Sequence, residues 1–265
     1  MSLSRSPSAL RPTQWIAAVF LSVMLQCAAA VEIHVVSSGG FAAAYRALAP
    51  GFELKTGHKL VTAWGPSMGA TPEAIPNRLQ RGEAIDVVIM VGDALDGLAK
   101  QGKVVGDSRT LLARSKIAMA IKAGAAKPDI SSADALRRTL LAASSIAYSE
   151  SASGVYLSTV LFPRLGIADQ IKDKSRMIPG EPVGRVVARG EAEIGFQQVS
   201  ELIHVPGVTF VGTIAAELQP GFSFAGALTN TAQQLEAARA LIRFLASPEA
   251  VSMILKAELT PLSVR

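Results

Sequence analysis

The chain has 265 residues, with 26 Lys and Arg against 21 Asp and Glu, one cysteine, three histidines and an aromatic content of 5%. The basic residues are dispersed and aromatics are few, so neither a phosphate-tracking stripe nor base-stacking platforms for nucleic acid are present. His34, His58 and His204 lie far apart without metal-ligand spacing, and no phosphate-cradling glycine motif occurs. A modest positive balance suits a small anionic ligand, and no cofactor is expected.

The first thirty residues read as a secretory leader. Arg5 and Arg11 precede an apolar run over residues 15–25, which ends in Ala28, Ala29 and Ala30 as a small-residue cleavage site. That run is about eleven residues, short of the roughly twenty that a permanent membrane anchor needs. Gln26 before Cys27 is a poor context for lipid attachment. Cleavage after Ala30 leaves a periplasmic chain starting at Val31, without cysteine, which excludes thiol nucleophiles, iron–sulfur clusters and cysteine-bound zinc. About 235 residues remain, enough for a large core without covalent staples.

From there the pattern alternates between strand and helix. Residues 32–37 predict a strand, and Phe41, Tyr45, Leu48 and Phe52 then recur at helical spacing. Strands are predicted over 60–63, 86–90, 116–121, 146–148, 176–178, 194–197 and 208–211. Helices are predicted over 75–81, 93–101, 132–142 and 154–165. Such β–α alternation argues for parallel sheets covered by helices. Residues 222–228 form a strand with no partner nearby, followed by helices over 232–246 and 249–256 separated by the breaker Ser247-Pro248. A strand and helices that return to an earlier sheet give two lobes joined by two crossover strands. The expected division is 31–114 with 225–265 as lobe 1 and 115–224 as lobe 2, with a ligand in the cleft between them.

Five segments carry a resemblance: EIHVVSSGGFAAAYRALAPGFELKTGHKL, GEAIDVVIM with Asp93 following, YSESASGVYLSTVLFPRLGI, GEAEIGFQQVSEL and ARALIRFLASPEAVSMILKAEL. Together, and in order, they resemble the periplasmic molybdate-binding family of solute-binding proteins. The resemblance implies a two-lobed α/β periplasmic binding-protein fold, with two parallel or mixed sheets flanked by helices. It also implies a cleft that closes on an anion held by hydroxyls and helix N-termini, a physically sound arrangement.

Position by position, the resemblance places hydroxyl ligands at Ser38 and Ser67 and backbone contacts near Ser153 and Val183. The family's ligand tyrosine has no counterpart, because the strand reads Gly195-Phe196-Gln197-Gln198. Amides there, with Arg78 and Arg185 nearby, suit carboxylates better than a tetrahedral oxyanion, since guanidinium offers a bidentate fork. Gln197 and Gln198 occupy alternate faces of a strand, so one is expected to face the cleft, and the binding set adopts Gln198. Glu150 either pairs with an arginine of the opposite lobe or acts on the ligand as its base.

Within this wider group, the chain is similar to the branch that has lost the molybdate ligands and isomerises aconitate. That branch implies interconversion of cis- and trans-aconitate by allylic proton transfer. The other expectation is a solute-binding component that delivers a molybdate-like oxyanion or small carboxylate to an ABC permease.

Overall fold

A computed structural model describes residues 30–262; the expected leader lies outside the described residues, apart from Ala30. Among the described residues, eleven strands form two sheets. The first sheet contains β1 (Glu32–Ser37), β2 (Lys59–Trp64), β3 (Val87–Val91), β4 (Thr110–Ser115), β10 (Phe222–Leu228) and β11 (Thr260–Pro261), in the order β11-β4-β10-β3-β1-β2. The second contains β5 (Ile117–Lys122), β6 (Ile146–Ser149), β7 (Ser175–Ile178), β8 (Ile194–Gln198) and β9 (Val208–Thr213), in the order β7-β6-β8-β5-β9. Helices α1 (Gly39–Thr56), α2 (Ile75–Gln80), α3 (Gly92–Lys100), α4 (Ala133–Ala142), α5 (Ala152–Tyr156), α6 (Phe162–Arg164), α7 (Ala168–Ile171), α8 (Val183–Ala188), α9 (Val199–Leu202), α10 (Leu235–Leu245) and α11 (Val251–Lys256) cover them. None is long and apolar enough to cross a membrane.

Both sheets are mixed. β1 pairs in parallel with β2 and β3, whereas β10 runs antiparallel to β3 and β4, and β5 runs antiparallel to β8 and β9. β3, sequence VVIMV, is buried along its whole length because helices cover both faces of its sheet. On one face Phe41, Tyr45, Leu48 and Phe52 of α1 pack with Val87, Ile89 and Leu241. On the other, Val88 and Met90 meet Leu95 and Leu98 of α3. The second sheet has its own cores, the largest around Met119, Leu136, Leu161 and Phe196.

The chain passes between the sheets twice. Only Lys116 separates β4 from β5, and the return lies between Thr213 and Phe222. The two passages run together, since Phe222 is the register partner of Ser115. Gln219 binds them: its carboxamide oxygen accepts from Ile117 N at 2.5 Å and its nitrogen donates to Ile214 O at 2.6 Å.

Three predicted helices differ in detail. The segment expected over 154–165 starts at Ala152 and widens into a π turn over Leu157–Leu161, where Phe162 N–H bonds to Leu157 O. Pro163 follows without an N–H of its own, a natural neighbour for such a register change. The helix expected from residue 232 starts at Leu235 because Gln233 and Gln234 donate their backbone N–H groups to Asp86 Oδ1. The final helix opens with a 3-10 turn over Pro248–Ala250.

Candidate active site in the cleft

Loops at the carboxyl ends of β1, β2, β6, β7 and β8 converge on one cavity of about 210 Å³. Crevices outside the carboxyl ends of strands are where open α/β sheets bind ligands. The cavity takes wall residues from both sheets: Ser38, Trp64 and Val91 from the first, and Glu150, Gln198 and Glu201 from the second.

Its hydrogen-bonding character is set by helix starts. Ser38 is the N-cap of the 18-residue α1, in extended conformation, yet its side chain makes no capping bond. Its Oγ is buried and has no hydrogen-bond partner in the described chain. A hydroxyl left in this way beside the unpaired N–H groups of a helix N-terminus is a ready donor set for an anion. Gly40 lets α1 begin this close to the sheet, because a Cβ there would overlap the ring of Phe224. α5 starts at the same cavity through its N-cap Ser151, and α8 through its N-cap Pro182. Gln198, the N-cap of α9, presents a buried carboxamide oxygen without a partner. Trp64 completes an apolar wall, held edge-on by Tyr45 at 5.9 Å and covered by the Arg46 guanidinium 4.2 Å from its ring.

No Lys or Arg lines the cavity among the described residues; the charged side chains there are Glu73, Glu150, Glu181 and Glu201. Their surroundings separate them. Glu150 is buried, and its Oε1 accepts from Thr71 Oγ1 at 3.0 Å and from Gly180 N at 3.1 Å. Glu181 is gripped through both oxygens by Arg189, which holds its carboxyl below the usual range. Glu201 has no cationic partner. Burial pushes it up to about 7, against the opposing effect of hydrogen bonds from the Gln197 side chain and the Gln198 N–H. Gly39 makes room for it, because a Cβ at that position would overlap Glu201 Oε1.

Of the residues expected from sequence, Ser38, Glu150 and Gln198 meet at the cavity, and Gln197 joins them. The expected alternation of the two glutamines does not apply because β8 ends at Gln198 and the chain turns into α9. Gln197 is engaged at both ends, accepting from Val183 N at 2.9 Å and donating to Glu201 Oε1 at 2.9 Å. Ser67, Ser153 and Val183 are buried just behind the wall. Ser67 Oγ accepts from Val91 N at 3.0 Å, Ser153 Oγ pairs with Ser149 Oγ at 3.1 Å, and the Val183 N–H is taken by Gln197.

The two arginines stand elsewhere. Arg78 reaches Glu83 at 2.6 Å and Glu73 O at 3.0 Å, so it braces the loop from outside the cavity. Arg185 is exposed, because Val183, Gly184, Val186 and Val187 occupy the inward side of the short α8. Sequence reading did not single out Glu201 or Thr71. The available signal was the spacing of Gln197 and Glu201, four residues apart across a strand-to-helix turn.

This arrangement, two sheets bridged by paired passages with a polar cleft at the strand ends, defines a solute-binding protein fold. The chain belongs to the bacterial extracellular solute-binding protein family, whose model matches residues 33–257. An aconitate isomerase of Pseudomonas sp is 51% identical over 252 residues, covering 94% of this chain and 96% of that protein. The molybdate-binding protein ModA of Azotobacter vinelandii is 27% identical over 241 residues, covering 87% of this chain and 91% of that one. Among solved structures, the periplasmic molybdate-binding protein of Azotobacter vinelandii superposes with a TM-score of 0.70 at 21% identity, covering 86% of this chain and 98% of that chain.

Proposed function

We propose that this protein is an aconitate isomerase built on a solute-binding fold, interconverting the cis and trans isomers by moving one allylic proton. The observation that carries the reading is the 51% identity to a named aconitate isomerase along nearly the whole of both chains. The cleft is compatible with it. Ser38 Oγ and the N-termini of α1 and α5 supply neutral donors for carboxylates, while the free Gln198 oxygen can accept from a protonated carboxyl group. Donors aimed at the carboxylate that takes up carbanion charge lower the barrier by roughly 3 to 4 kcal/mol each.

The protein works in the periplasm after loss of its leader. The expected lobe boundaries shift by a few residues, because β10 pairs with β4 and β3 from Phe222 onward and so holds Phe222, Ser223 and Phe224, with Ser115, in the first sheet. Residues 31–115 with 222–265 move as one lobe and 116–221 as the other, closing on the ligand about the passages at Lys116 and Gln219. Ser67, Ser153 and Val183 hold the binding loops in shape.

The test is incubation of the purified mature protein with either isomer, without added cofactor, followed by chromatography. Both starting isomers are expected to reach one equilibrium mixture. No conversion of either, with tight binding of molybdate, would replace this reading by delivery of an oxyanion to a permease.

A further inference from the structure

We infer that Glu201 is the residue that carries the proton between the two ends of the allylic system. This rests on the isomerase reading and adds the acid–base group to it. Four carboxyl groups line the cavity, and their contacts leave one suited to the task. Glu150 has Oε1 tied by the Thr71 hydroxyl and the Gly180 N–H. Glu181 is locked to Arg189. Glu73 is exposed and lies on the loop that Arg78 braces. Glu201 is instead set in the wall between the N-terminus of α1 and the end of β8, oriented by the Gln197 amide on Oε1.

Three features of that position suit proton transfer. A glycine at 39 is the residue that leaves room for the carboxyl group, so the start of α1 and the acid share one corner of the cleft. The unpartnered Ser38 Oγ belongs to the same helix start and can donate to the substrate carboxylate next to the carbon that loses its proton. A carboxyl group with a pKa near the working pH is an effective base in one half of the reaction and an effective acid in the other.

The step balances within this one group. Ionised Glu201 takes a proton from the substrate methylene. The C–H electron pair passes into the allylic system and onto the adjoining carboxylate. The carboxyl group so formed returns its proton to the former vinyl carbon, where a new C–H bond forms as the double bond shifts to the other arm. The ends of an allylic triad are about as far apart as the two oxygens of one carboxylate, so a single group reaches both.

The titratable groups facing Glu201 across the cavity are Glu73, Glu150 and Glu181, all acidic, so a rate limb near neutrality is assignable by substitution. In Glu201→Gln, isomerisation is expected to fall roughly 100-fold or more while aconitate affinity stays within about threefold. Deuterium uptake into the substrate methylene, followed by proton NMR in heavy water, is expected to disappear with it. Glu201→Asp is expected to keep measurable turnover and a pH limb, moved from the wild-type position.

Near-normal turnover or exchange in Glu201→Gln overturns the inference. So does equal loss in the Gln and Asp variants when both unfold at the wild-type temperature, since that marks a packing role. Failure of the unaltered protein to convert or exchange aconitate refutes the isomerase reading itself, a result distinct from either of these.

Discussion

Thr71 and Glu150 join the two halves of the molecule directly above the cleft. Thr71 Oγ1, in the loop after β2, donates at 3.0 Å to a carboxylate oxygen that also accepts the Gly180 N–H from beyond β7. A second tie between the halves lies where Ser200 Oγ donates to Gly40 O at 2.7 Å. The two halves are therefore tied across the cleft by polar contacts, which the proposed opening would exchange for water.

Thr71→Val keeps the side-chain shape and removes the donor to a buried carboxylate. Aconitate binding is expected to weaken by about 1 kcal/mol, roughly fivefold, a partial loss because Gly180 still donates. Small-angle scattering of the unliganded variant should show a larger radius of gyration. Glu150→Gln is expected to retain turnover within about tenfold, in contrast to the loss expected at Glu201.

Ser38→Ala removes a hydroxyl that is buried without a partner. Thermal stability of the free protein should be unchanged or slightly higher, since an unsatisfied group is lost, while ligand affinity falls by about 1 kcal/mol. Titration calorimetry beside a melting curve checks both. Arg185→Ala, on the outward side of α8, is expected to leave affinity within about twofold.

The Glu201 carboxyl group is raised to about 7 from the ordinary 4.5, so between these values the folded chain keeps a proton that the unfolded chain has lost. Its contribution to stability is complete below pH 4.5 and lost as pH rises through 7. Glu201→Gln should unfold like the unaltered protein near pH 4 and be more stable at pH 8, by on the order of 2 kcal/mol. Urea titrations at the two pH values measure the difference.

Asp86 is a buried hub that accepts from His34 N at 2.8 Å, Gln233 N at 2.7 Å and Gln234 N at 3.0 Å. Asp86→Ala strands three backbone donors that fix the start of α10 against β1. A loss of about 3 kcal/mol is expected, read as a lower denaturation midpoint.

Much of this architecture was legible because its signals are local. The helical spacing of Phe41, Tyr45, Leu48 and Phe52, and the apolar run at Val87–Val91, report burial wherever they are read. β4 went unrecognised because its partners are β10 and β11, so what makes it a strand lies beyond the whole of the second sheet in sequence. The cleft shows the same division. Ser38 and Glu150 stand out by motif, whereas Glu201 is an ordinary acid until α9 folds against Gly39, and Arg185 looked available until α8 turned its apolar side inward.

The pairing of Ser115 with Phe222 has a consequence for how such a molecule is assembled. These residues close one end of an antiparallel strand pair, so everything from 116 to 221 occupies the place of a hairpin turn. A short tight turn between them would leave every strand of the first sheet with its neighbours. The second half can thus be viewed as one very long loop that acquired a sheet of its own, and the cleft arose where that loop folds back over the strand ends.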